Sequence, residues 1–64
     1  MPGPYKIEVE NHVLGSRRTY NTKYDKVEEA CASAEQHAAR SQPFMVYNVL
    51  DSRGNVLATF RKQA

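Results

Sequence analysis

The chain has 64 residues, with 9 Lys/Arg against 7 Asp/Glu, a formal net charge of +2 and a single cysteine. That length holds one domain, one cysteine excludes an intrachain disulfide, and the mild positive charge falls short of the strongly basic signature of a dedicated nucleic-acid binder. A domain this small buries only ~60% of the surface its unfolded chain exposes. With neither a disulfide nor a metal to staple it, association with another chain is the expected source of added stability.

The first residues, MPGPYKIEVE, contain no apolar segment of the kind a signal peptide carries. No apolar run approaches the ~18 residues needed to span a membrane. A cytoplasmic protein with a reduced thiol and no membrane partner is expected. Acids and bases are interspersed, without runs of like charge.

In chain order, two prolines and a glycine make residues 1–4 a flexible lead-in. YKIEVENHVL alternates, with Tyr5, Ile7 and Val9 on one side and Lys6, Glu8 and Glu10 on the other. This is the pattern of a strand with one solvated face. Gly15 then marks a turn, and TYNTKY reads as a second, shorter strand presenting Tyr20, Thr22 and Tyr24 together.

Asp25 followed by Glu28 has the form of an acidic N-cap with an acid at the third helical position. Behind it, Val27, Ala30, Cys31, Ala34 and Ala38 form one stripe on a helix of about four turns. Glu28, Glu29, Glu35, Gln36 and Arg40 take the outer side, and the proline of SQP stops the helix. The small side chains of the stripe let the helix lie close to a sheet.

PFMVYNVL and NVLATFRK read as two further strands joined at DSRGN. Asp51 at the start of that turn and Gly54 in a left-handed position fit a type I turn with a bulge. In this register Phe44, Val46, Asn48 and Leu50 share a face with Val56, Ala58 and Phe60. The other face carries Met45, Tyr47, Val49, Leu57, Thr59 and Arg61.

The expected fold is therefore α+β: a single ββαββ domain spanning residues 1–64, an antiparallel sheet of about four strands with one helix packed on one face. Strand order stays open. One helix covers one face, which leaves Met45, Tyr47, Val49 and Leu57 as an apolar patch, with Arg61 at its rim. Contiguous patches of this kind mark interaction surfaces.

Reactive chemistry has little to stand on. Cys31 belongs to the buried stripe, where a free cysteine acts as a small hydrophobe. His12 and His37 are isolated, and no metal-ligand spacing occurs. Glu8 and Glu10 share a strand face, where two carboxylates serve to solvate the face and discourage edge pairing. The three glycines, at 3, 15 and 54, form no phosphate loop. No enzyme, metal or cofactor is expected.

The ββαββ order and the ending VLDSRGNVLATF are broadly similar to small uncharacterised domains found in bacteria, phages and mobile elements. That resemblance implies an accessory or inhibitory protein acting by binding, and it carries over no functional residue. The leading expectation is a non-enzymatic binding protein, a homodimer or an adaptor or inhibitor of another protein, using Met45, Tyr47, Val49, Leu57 and Arg61. The alternative is nucleic-acid binding, with Arg17, Arg18, Lys23, Arg53, Arg61 and Lys62 holding phosphates and tyrosines stacking bases.

Overall fold

A computed structural model describes residues 4–62; the expected lead-in lies, apart from Pro4, outside the described residues. Four strands and one helix follow in the order β1 (Lys6–Asn11), β2 (Ser16–Thr19), α1 (Val27–Arg40), β3 (Met45–Leu50) and β4 (Val56–Arg61). The strands form one antiparallel sheet, ordered β2-β1-β3-β4. This is the expected ββαββ domain, with the open question of strand order answered: β1 and β3 are central, and the edges are β2 and β4.

The first hairpin is shorter than its hydrophobic pattern suggests. β1 stops at Asn11, whose backbone carbonyl accepts the N–H of Gly15 at 2.7 Å, and Gly15 sits at φ 72° where a side chain would be strained. Pairing therefore resumes at Ser16, opposite Asn11, and β2 is SRRT rather than TYNTKY. Of the expected second strand, Tyr24 makes a lone bridge with Tyr5, through backbone bonds of 2.7 and 2.9 Å.

That bridge also moves the helix start. With Tyr24 held extended beside Tyr5, Asp25 and Lys26 must turn the chain up onto the sheet, and Lys26, not Asp25, is the N-cap residue, with no side-chain cap bond. The expected Asp25–Glu28 capping box does not form. Glu28 and Glu29 still occupy the first turn and Arg40 the last, an arrangement that suits the helix dipole. The Tyr24 hydroxyl shares a 2.9 Å hydrogen bond with Ser33 and ties the entry loop to the helix.

The core lies between α1 and one face of the sheet. Ile7 and Val49 are fully buried, and Tyr5, Val9 and Tyr47 nearly so. Ala30, Ala34 and Ala38 meet them from the helix, with Val27 and Cys31 packed at the margin. Three alanines contribute little apolar area, so the larger side chains of β1 and β3 supply most of the burial. Ile7→Ala should cost roughly 2–5 kcal/mol, comparable with the roughly 3–10 kcal/mol total stability usual for this length. Urea unfolding followed by circular dichroism should find the midpoint of that variant shifted sharply to lower denaturant.

The β3–β4 turn follows its sequence signal. Asp51 faces Asn55 through a 3.0 Å backbone bond, Gly54 sits at φ 86°, and Asp51 Oδ1 accepts the N–H groups of Arg53 and Asn55 at 2.8 and 2.9 Å. The Asn55 N–H above all, with help from that of Arg53, holds the Asp51 carboxyl below its ordinary value of 3.8. A depressed carboxylate stabilises the fold above its unfolded pKa, and that contribution disappears as pH falls through the folded value. Asp51→Asn should therefore flatten the acid limb of the stability curve below about pH 4, measured as unfolding midpoint against pH.

Candidate functional site

Which face of the last hairpin is free depends on β1. In register, Ile7 stands opposite Val49, Val9 opposite Tyr47 and Asn11 opposite Met45. The apolar side of β1 and the Met45–Tyr47–Val49 side of β3 therefore lie together, and α1 covers both. The expected interface is corrected on this point: Tyr47 and Val49 are 5% and 0% exposed, and Met45 packs against the same core.

The β4 members of the two faces also exchange. Between Val49 and Leu50 the partner on β4 jumps from Ala58 to Val56, leaving Leu57 as the extra residue of a β-bulge. Ala58 and Phe60 consequently join the helix side, opposite Val49 and Tyr47. Thr59 and Arg61 pair with Asn48 and Val46 on the open side. Of the expected interface residues, only Leu57 and Arg61 are exposed.

The open face is organised by Asn48, an amide that is buried although no backbone layer lies over it. Its Nδ2 donates to Glu10 Oε2 at 2.8 Å and, at the long limit of 3.5 Å, to Glu8 Oε1. Its Oδ1 accepts the Thr59 hydroxyl at 2.9 Å. Glu10 Oε1 meets Arg17 Nε at 3.3 Å. Every strand thus joins a polar ladder running β2, β1, β3, β4, with β1 contributing both carboxylates. Val46, beside Glu10 and Arg61 in register, is nearly buried by these neighbours.

This arrangement accounts for a central strand that is apolar on both sides: α1 shields one face and long side chains of flanking strands shield the other. Pattern reading missed Asn48, yet the signal was present. A lone amide within MVYNVL shares its alternation with Val46 and Leu50 and marks that side as the polar one. Asn48→Asp would set three carboxyls together in a partly desolvated row. It should cost at least about 2 kcal/mol near neutral pH. Urea titrations of the variant beside the wild type read that loss.

On the helix side, His37 stacks on Tyr47 with ring centroids 5.9 Å apart, and Tyr20 meets His37 edge-on at 5.5 Å. Burial pushes the Tyr20 phenol above its ordinary value, and the adjacent Tyr47 adds to the shift. The remaining candidates are structural in placement: Cys31 is half-buried against the core, and His12 is exposed in the first turn.

The cations of the nucleic-acid alternative are divided between the two ends of the sheet. Arg17, Arg18, Arg61 and Lys62 lie toward the end where β1 finishes and β3 begins. Lys23 and Arg53 line, with Lys6 and Asp51, a depression of about 410 Å³ at the opposite end. Arg17 is engaged by Glu10.

What remains open is β4. Among the described residues its outer edge pairs with nothing, and Val56 and Leu57 are 54% and 49% exposed on it. The other edge, β2, is short and carries Arg17 and Arg18, which blunts it against strand addition. In comparisons with known proteins, the chain matches no family model, no curated protein and no solved structure.

Proposed function

We propose that the protein is a non-enzymatic binding protein that acts as a homodimer, joined edge to edge through β4. The observation that carries this reading is the contrast between the edges: β2 is short and doubly charged, whereas β4 presents VLATF before its first charge. An unpaired apolar edge is a template for another strand. A second copy of β4, run antiparallel across a two-fold axis, would satisfy the outward backbone groups and cover Val56 and Leu57 on both sides of the seam.

Face-to-face packing of two open faces is the weaker arrangement. It would take Lys6, Glu8, Glu10, Arg17 and Arg61 of each chain out of water, and buried charges are costly even when paired. Edge pairing leaves them solvated. The polar ladder supports a structural rather than reactive role for the two carboxylates, since Asn48 and Arg17 engage them. A dimer of this form would present doubled surfaces to a further protein, as an adaptor or inhibitor does.

Sedimentation equilibrium across a wide concentration range, at low and high salt, tests the reading. A reversible dimer that persists in salt is expected. Leu57→Glu, a surface change costing the fold within about 0.5 kcal/mol, should leave the circular dichroism unchanged and shift the chain to monomer. A wild-type monomer at every concentration would sink the proposal. Binding of a single-stranded oligonucleotide that weakens steeply with salt would favour the nucleic-acid alternative instead.

A further inference from the structure

We infer that the β1–β2 turn is a docking site for an anionic phospholipid surface, with Val13 and Leu14 as the inserting side chains. These two are the most exposed large hydrophobic residues described, at 68% and 76%, and they sit side by side at a hairpin tip, a place where polar turn residues and glycine usually prevail.

The backbone of the tip is prepared for an apolar medium. His12 N–H donates to the Phe44 carbonyl at 3.0 Å, and Gly15 N–H to the Asn11 carbonyl at 2.7 Å. Val13 and Leu14 N–H both donate to Asn11 Oδ1 at 3.0 Å. Every N–H from His12 to Gly15 is therefore satisfied within the chain. Entry into lipid therefore strands no N–H of the turn, which removes one part of the cost of taking irregular backbone out of water. Phe44, 39% exposed and bonded to this turn, adds a third apolar group at the same end.

Charge is arranged to match. The end of the domain that carries the tip also carries Arg17, Arg18, Arg40, Arg61 and Lys62, because β1 and α1 finish there, β2 begins there and β4 ends there. Among the acids of the strands Glu10 lies nearest that end, where Arg17 and Asn48 engage it; Glu8 and Glu35 lie between the two ends. Asp25, Glu28, Glu29 and Asp51 lie at the opposite end with Lys6, Lys23, Lys26 and Arg53, so the excess positive charge is concentrated around the tip. An apolar tip at the cation-rich end of the domain supplies the two signals that stable association with an anionic bilayer requires.

Nucleic acid is a poorer match for the tip itself, since Val13 and Leu14 offer no ring for base stacking. No helix among the described residues is long and apolar enough to cross a membrane. The contact is of the lying-on kind, which needs no spanning segment.

The test is co-sedimentation of the full chain with vesicles of phosphatidylcholine alone and of phosphatidylcholine with phosphatidylserine. Binding is expected only where phosphatidylserine is present. The Val13→Ser/Leu14→Ser double variant should lose at least about tenfold in affinity with unchanged circular dichroism and oligomeric state. Arg61→Gln/Lys62→Gln should weaken binding and flatten its salt dependence. Leu57→Glu should bind as the wild type does, which separates this proposal from the dimer. No binding to phosphatidylserine vesicles, or equal binding by the Val13/Leu14 variant, would overturn it.

Discussion

The register of β1 against β3 is the constraint on which the rest of the domain depends. Ile7 opposite Val49 and Val9 opposite Tyr47 bring the apolar sides of two central strands onto one face, and every other feature follows from which face that is. A slip of one residue would turn each β1 side chain to the other side and set Glu8 and Glu10 beneath the helix. The fold excludes this because the same register gives Asn48 its two carboxylate partners on the far side.

A single helix is little cover for four strands, and the chain meets that shortage in two ways. Ala30, Ala34 and Ala38 let α1 approach closely, so that the large residues on the sheet do the filling. On the other face a hydrogen-bonded row takes the place of a second layer: Asn48 and Val46 are buried by the side chains flanking them rather than by another element. Buried polar groups are tolerable when each has a partner, and the four-strand ladder meets that condition.

The asymmetry of the domain falls along two directions. Across the sheet, the β2 edge is short and charged while the β4 edge is longer and apolar. Along the strands, one end gathers cations around an aliphatic tip while the other balances acids against bases. The edge and the tip use different residues, so either could serve without the other.

Much of the architecture was legible in the sequence. Alternation in KIEVE marked β1, the alanine stripe marked α1, and the Asp51 and Gly54 signals placed the last turn, since local chemistry at these positions has few alternatives. Element ends were harder to read: the strand signal of TYNTKY gave way to an Asn11-closed turn, and Asp25 lost its capping role to the Tyr5–Tyr24 bridge. The site was legible only in part. That β3 is apolar on both sides is readable from PFMVYNVL alone. That Met45, Tyr47 and Val49 form the covered side, and that a bulge at Leu57 moves Ala58 and Phe60 to join them, emerges from strand pairing and the position of α1. Which side of a two-sided strand turns inward is set by its neighbours' register, and that information lies in β1 and β4 rather than in β3.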